Sequence, residues 1–180
     1  MDRNIIERIA KAAVDAERAT GCPAELLAAQ CALESGWLKH APGNNCFGIK
    51  AYTGAGRQLL PTTEWLTPEQ RDKWLAGMAG RTATLVEPVQ TDHRGRNKYT
   101  VEDYFAAFAT LGDCFAKRGG MWDKGPYASH AEAFREKRDI DTLVRGIAPV
   151  YATDPKYADT VLSIIHRPDL KTAIEEARAA

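Results

Sequence analysis

The feature that most constrains the fold is a change of pattern in the middle of the chain. Near the amino terminus, apolar residues such as Ile6, Ile9 and Ala13 recur at the spacing of an amphipathic helix, and similar stretches return after residue 110. Between about residues 45 and 108 this spacing is lost, and Gly, Asn, Thr and Tyr surround short apolar runs, a pattern typical of loops and strands. The sequence therefore predicts an α+β, mainly α fold with a small β-hairpin lobe inserted and a ligand cleft between the two lobes.

Start and stop signals indicate the individual helices. The first helix is predicted over residues 3–19, and the second runs from Pro23 until Gly43 breaks its pattern. Capping-box spacing at Thr67–Gln70 and Thr110–Asp113 predicts two more helix starts.

The segments that follow are assigned in the same way. A hairpin is predicted by residues 82–89 and 99–108, which flank the basic turn Asp92–Asn97. The second of these stretches also fits a helix. Further helices are predicted after a Ser129 cap to Lys137, over residues 140–147, from Thr153 to Pro168, and in a short stretch beyond Pro168.

Length and charge exclude several classes of protein. A chain of 180 residues with 44% hydrophobic residues fits one domain, which we place over residues 1–180. Lys plus Arg and Asp plus Glu both number 24, so no net positive charge favours nucleic acid as a partner. No apolar run is long enough to span a membrane, and Met1–Asn4 does not begin a signal peptide. We expect a monomer that neither binds nucleic acid nor inserts into a membrane.

The metal-binding residue types are scattered. The four cysteines form no CxxC pair, and the four histidines show no HExxH or other ligand spacing. We therefore expect no metal and no cofactor, and we expect the cysteines to be reduced, buried thiols.

One carboxylate lies at an unusual place. Glu34 shares a helical face with Leu27, Cys31 and Leu38, and partial desolvation there would raise its pKa and keep a proton available near neutral pH. Such a proton suits a general acid for glycosidic bond cleavage, which usually needs a second carboxylate; Glu64 and Glu87 are candidates. The alternative is a boundary residue that pairs with a lysine or a backbone amide.

Four sequence blocks resemble, in the same order, motifs of the glycoside hydrolase family 73 glucosaminidases. They are Ala29–Trp37 (AQCALESGW), Asn44–Ala51 (NNCFGIKA), Thr62–Trp65 (TTEW) and Tyr151–Ala158 (YATDPKYA). The resemblance implies a lysozyme-like helical lobe and a small β-lobe with a glycan between them. It also implies hydrolysis of the β-1,4 bond after N-acetylglucosamine in peptidoglycan, whose glycan strands would be the partner.

The same resemblance assigns roles to single residues. Glu34 matches the acid that protonates the glycosidic oxygen, Glu64 the second carboxylate, and Tyr151 the aromatic residue that faces the acid. Contacts with the glycan are expected from Asn45, Phe47, Trp65 and Tyr157.

The chain also departs from the family pattern. Residues 66–104 replace a short hairpin, and Phe105–Phe108 lacks the arginine and tyrosine of the matching FRxY segment. If Glu64 is misplaced, Glu87 or the substrate N-acetyl group would take the second role, and retention or inversion stays open.

Two other functions fit the same four sequence blocks. They are a muramidase or lytic transglycosylase that cuts the alternate bond, and a catalytically decayed glycan-binding module of a phage or secretion apparatus. We expect action on the bacterial wall or in the periplasm; because the chain shows no signal peptide, a phage lysin, an exported effector or an excised domain fits.

Overall fold

Helices begin and end the chain, and strands occupy its middle. The computed structural model describes residues 2–77, 80–152 and 154–180. In order, the elements are α1 (Arg3–Thr20), α2 (Ala24–Ser35), β1 (Gly56–Leu66), α3 (Pro68–Gly77), β2 (Thr82–Leu85), β3 (Asn97–Ala107), α4 (Leu111–Gly119), α5 (Ala128–Lys137), α6 (Ile140–Tyr151), α7 (Tyr157–Ile165) and α8 (Pro168–Ala179). The predicted fold class, mainly helical with an inserted β segment, is confirmed.

The chain divides into two compact units. The helical unit consists of Met1–Ile49 and Phe108–Ala180, and the sheet unit consists of Lys50–Ala107. Within the described ranges, no helix is both long and apolar enough to cross a bilayer.

The core of the helical unit forms around α2. Nearly every residue of this helix is buried, from Ala24 through Ala32, and the helix contacts α1 and α7. A helix that is apolar on all sides belongs inside a protein. The amphipathic α1 covers it with its buried stripe and ends at Thr20, followed by Gly21 in the left-handed conformation.

The predicted length of the second helix was wrong. α2 ends at Ser35, because Gly36 has a left-handed φ of 57° and its N–H donates to Ala32 and Leu33. Trp37 and Leu38 continue the apolar spacing of the helix, but both have positive φ, 61° and 64°. The periodicity of these side chains thus comes from a turn that packs against the core.

The carboxyl-terminal helices follow most of their predicted signals. Thr110 and Asp113 form the expected capping box of α4, and Asp139 caps α6, which extends to Tyr151. The predicted Ser129 cap was wrong, because Ser129 lies inside α5. The predicted start at Thr153 lies outside the described residues, and α7 begins at Tyr157.

The sheet unit is built on β3. This strand pairs with β1 and β2 on either side, both antiparallel, so the segment that also fitted a helix is the central strand. α3 begins as predicted, with reciprocal hydrogen bonds between Thr67 and Gln70. The basic turn is held by Asp92, which accepts from the backbone of Arg94 and Arg96 and pairs with the Arg96 guanidinium.

Candidate active site

Glu34 lies at the carboxyl-terminal end of α2, one residue before the helix stops. It is exposed, although the helix that carries it is buried. Burial on the protein side of its carboxyl group raises the pKa of Glu34, and the charge of Arg118 partly opposes this rise. A carboxylic acid whose pKa is raised and which remains accessible has the properties of a general acid.

Two tyrosines stand beside this acid. Tyr151 ends α6 and Tyr157 begins α7, and their ring centroids are 5.1 Å apart. Burial and the charge of Glu34 raise the pKa of Tyr151 to about 12, and burial also raises the pKa of Tyr157. Both hydroxyls are therefore neutral at working pH and can donate hydrogen bonds but cannot serve as anionic bases.

A polar network that the sequence prediction missed lies against these tyrosines. Arg118 of α4 donates from Nη2 to Gln30 Oε1 at 2.8 Å, and Gln30 Nε2 donates to the Tyr157 hydroxyl at 3.1 Å. Gln30 and Arg118 are buried. A signal for Arg118 was present, because it follows Leu111, Cys114 and Phe115 on the apolar stripe of its helix.

The turn after Glu34 is held by its neighbour. Ser35 is fully buried, and its hydroxyl donates to the Cys31 carbonyl at 2.6 Å and accepts from the Leu38 N–H at 2.9 Å. The Trp37 N–H reaches back to the Ala32 carbonyl at 2.9 Å. These bonds keep the left-handed turn in place and so fix the backbone that carries the acid.

Asn45 and Phe47 have structural roles in the helical unit. Both side chains are buried. The Asn45 amide closes a turn by accepting from the Ile49 N–H at 3.0 Å and donating to the Ile49 carbonyl at 2.8 Å. The Phe47 ring packs edge to face on Phe115, with centroids 5.0 Å apart. Contact of these residues with a glycan stays a prediction.

Glu64 and Trp65 belong to the sheet unit and lie on opposite faces of β1. Glu64 is paired in register with Tyr99, which is buried, whereas Trp65 is paired with Lys98, whose ammonium lies 5.9 Å from the indole centroid. Successive side chains of a strand point to opposite sides. The two residues therefore cannot contact a ligand from the same face of the sheet.

The face that carries Glu64 is covered by an ionic cluster. Lys50 Nζ lies 3.5 Å from Glu64 Oε1 and 2.9 Å from Asp103 Oδ2. Arg81 binds the other Asp103 oxygen at 2.7 Å and stacks on Trp74 of α3, with 4.3 Å to the ring centroid. The additional helix α3 thus contributes to the surroundings of Glu64.

The alternative second carboxylate, Glu87, and the tryptophan of the helical core, Trp122, take no part in the ionic cluster around Glu64. Glu87 is exposed and follows β2 by two residues. Trp122 is buried in the helical core, where its Nε1 donates to the Thr20 carbonyl at 3.2 Å.

Within residues 2–77, 80–152 and 154–180, no three metal-ligating side chains are grouped to hold an ion.

Comparison with known proteins identifies the family. A model of the glucosaminidase family, described as mannosyl-glycoprotein endo-β-N-acetylglucosaminidase, matches residues 10–170. The chain belongs to this family. The glucosaminidase is thus a glycoside hydrolase, and the resemblance to glycoside hydrolase family 73 is confirmed. Among curated proteins, no sequence matches it.

Solved structures share the fold of this glucosaminidase at low sequence identity. A peptidoglycan hydrolase mutant from Sphingomonas sp. A1 aligns with a TM-score of 0.63 and 24% identity, over 97% of this chain and 99% of that chain. The catalytic domain of the autolysin Auto from Listeria monocytogenes gives 0.66 and 21%, over 94% and 85%. A glycoside hydrolase domain of FlgJ from Salmonella typhimurium gives 0.62 and 22%, over 95% and 99%. The lysozyme-like fold is confirmed.

Proposed function

We propose that this glucosaminidase hydrolyses the β-1,4 bond after N-acetylglucosamine in bacterial peptidoglycan, with Glu34 as the general acid. The observation that carries the proposal is an accessible carboxyl group with a raised pKa at the end of a buried helix, in a chain of this family. The substrate is supported by the structural neighbours, which include a peptidoglycan hydrolase and an autolysin.

The helical unit supplies the groups for proton transfer. Glu34 gives its proton to the glycosidic oxygen as the bond to the anomeric carbon breaks, which leaves a carboxylate. Tyr151 is placed beside Glu34 and remains protonated, so its hydroxyl can donate a hydrogen bond to the sugar. The Tyr157 ring packs against the Tyr151 ring.

The second carboxylate is assigned to Glu64. Its side chain is 35% exposed and lies next to the Lys50 ammonium, which can hold the carboxylate in place to stabilise an oxocarbenium-like centre or to orient water. Trp65 lies on the other face of β1, so we assign it no part in that step. Comparing Glu64→Gln with Glu87→Gln distinguishes the two candidates, and Glu102→Gln is the control on the same sheet.

The test of the activity is mass spectrometry of soluble fragments released from purified peptidoglycan. The native enzyme is compared with Glu34→Gln and with Glu25→Gln, which makes the same change in the first turn of α2. Fragments with reducing N-acetylglucosamine ends, lost in Glu34→Gln but kept in Glu25→Gln, are the expected result.

Other products would point to other functions. Reducing muramic ends would indicate a muramidase, and anhydro-muramic ends a lytic transglycosylase. No fragments from any variant, with binding to peptidoglycan retained, would favour a decayed glycan-binding module. Release of glycans from a mannosyl-glycoprotein instead would overturn the proposed substrate.

The place of action belongs to the same proposal. A peptidoglycan hydrolase works in the bacterial wall or periplasm, and delivery as a phage endolysin, an effector or part of a longer chain would bring it there. We propose that it acts as a monomer. Lysis of permeabilised bacteria and light scattering of the purified protein test the two points.

A further inference from the structure

Arg118 is a charged residue in the core of the helical unit. It is 6% exposed, and its Nε is buried without a hydrogen-bond partner in the described residues. Its described contacts are neutral: Gln30 Oε1 and the rings of Tyr127 and Tyr151, whose centroids lie 6.0 and 5.1 Å from Cζ. Burying a guanidinium without a paired carboxylate is destabilising, and an apolar side chain would avoid that cost.

The contacts of Arg118 connect it to α2, the helix that carries the proposed acid Glu34. Gln30 lies four residues before Glu34 on α2 and therefore on the same side of the helix. It joins Arg118 to the Tyr157 hydroxyl, and Tyr157 packs on Tyr151. Three helices besides α2 thus meet at this network.

The charges around Glu34 can be named. Glu34 interacts electrostatically with Arg118 of α4, Tyr151 of α6 and Tyr157 of α7. Raised pKa values keep both tyrosines neutral, so Arg118 is the charged member of the three.

We propose that Arg118 is a positioning residue of the acid site: its guanidinium, held by Gln30 against the Tyr151 ring, orients the tyrosines and stabilises the Glu34 carboxylate that proton donation leaves. The catalytic part of this inference rests on the proposed function of Glu34. Burial alone would hold the proton on Glu34, and a general acid must also release it. Arg118 opposes burial and makes the release easier.

The deciding test does not need turnover. The side-chain carboxyl carbon of Glu34 is titrated by ¹³C NMR, with Glu34→Gln used to assign its signal. Arg118→Gln removes the charge and keeps an amide that can donate to Gln30. The pKa of Glu34 is expected to rise by about one pH unit in this variant. It is expected to stay unchanged in Arg118→Lys and in the control Arg135→Gln, which removes a surface arginine stacked on Trp122.

A second variant tests the same inference without removing the buried Arg118. Gln30→Glu keeps Arg118 and places a carboxylate against it, so the pKa of Glu34 should rise here as well. Thermal melts verify that each variant is folded. An unchanged Glu34 titration in folded Arg118→Gln or Gln30→Glu would overturn the inference.

Activity separates this inference from the proposed function. On peptidoglycan, Arg118→Gln should lower kcat about 10-fold with little change in KM, and the alkaline limb of its pH profile should move up with the NMR pKa. If the native enzyme cleaves no peptidoglycan while the titration shifts as expected, the proposed function fails and the electrostatic role of Arg118 stands. If the native enzyme cleaves peptidoglycan and the titration does not move, the role of Arg118 fails alone.

Discussion

In the sheet unit, Lys50 Nζ lies 3.5 Å from Oε1 of Glu64. The same ammonium is anchored 2.9 Å from Asp103, which is 2% exposed and also binds Arg81. A buried carboxylate with two cationic partners has little freedom, so it fixes the position of Lys50. Lys50 in turn limits where the more exposed Glu64 carboxylate can lie.

This relationship predicts a coupled loss of activity. Lys50→Met should lower kcat about 10-fold, because Glu64 loses the cation that orients it. In a Glu64→Gln background the same change should have almost no further effect, and this double-mutant cycle is the measurement. Lys98→Met, on the opposite face of the sheet, is the control. Equal losses from Lys50→Met in both backgrounds would show that Lys50 does not act through Glu64.

Asp103 should contribute stability that depends on pH. Burial raises the pKa of Asp103, but bonds from Lys50 and Arg81 outweigh this and leave it below its usual value. A lowered folded pKa gives stability that is present above pH 4 and is lost as pH falls through the folded pKa.

The measurement is urea unfolding followed by tryptophan fluorescence. Asp103→Asn should lower the free energy of unfolding by about 3 kcal/mol at pH 7, because two cations lose their partner, and by less at pH 3. Asp72→Asn, in an exposed ion pair with Arg71, should cost less than about 1 kcal/mol. A loss for Asp103→Asn that is the same at both pH values would contradict the argument.

The sequence predicted those elements whose signals are local. Capping boxes at Thr67 and Thr110 marked helix starts correctly, because both partners lie within three residues. The end of α2 was missed, because Trp37 and Leu38 keep the apolar spacing through a turn whose backbone is not helical. Side-chain periodicity indicates which residues are buried, and a buried turn can show the same apolar spacing as a helix.

The candidate site was predicted in part. Glu34 stood out as a carboxylate on an apolar face, and Tyr151 through the resemblance of its block. Arg118 stands on a similar apolar stripe, but its partners come from α2, α6 and α7, and no local pattern connects them. Likewise, the register of β1 shows that Glu64 and Trp65 lie on opposite faces of the sheet, and the resemblance of their block does not reveal this.

Glu34 should make both activity and stability fall as pH rises. Because burial raises its pKa, activity should fall on the alkaline side as pH rises through that value and the acid loses its proton. A carboxyl whose folded pKa is raised destabilises the folded state above its unfolded pKa. Glu34→Gln should therefore raise Tm at pH 7 and leave it unchanged at pH 3, as measured by thermal melts. Glu25→Gln, which loses an ion pair with Arg178, should give no gain at either pH.

Tyr151 should act as a neutral hydrogen-bond donor. Burial and Glu34 raise its pKa to about 12, so it does not titrate across the working range. Tyr151→Phe should lower kcat on peptidoglycan roughly 10-fold to 100-fold and leave both limbs of the pH profile in place. Tyr127→Phe, at the other ring near Arg118, is the matched control. A shift of the alkaline limb in Tyr151→Phe would assign that limb to Tyr151 and not to Glu34.

Ser35 should hold the turn that carries the acid. Its buried hydroxyl bonds the Cys31 carbonyl and the Leu38 N–H, and the residues between, Gly36 and Trp37, have positive φ like Leu38 itself. Ser35→Ala leaves the Leu38 N–H without its partner, which costs about 2 kcal/mol of unfolding free energy.

Because non-glycine residues resist the left-handed conformation, the freed turn should relax and move Glu34. We therefore expect kcat to fall at a temperature where Ser35→Ala is still fully folded, with the loss measured on peptidoglycan alongside urea unfolding. The control is Ser163→Ala, which removes an exposed hydroxyl that bonds the Thr160 carbonyl at 2.7 Å and should change neither quantity. If Ser35→Ala is destabilised but retains native kcat, the turn supports the fold without positioning the acid.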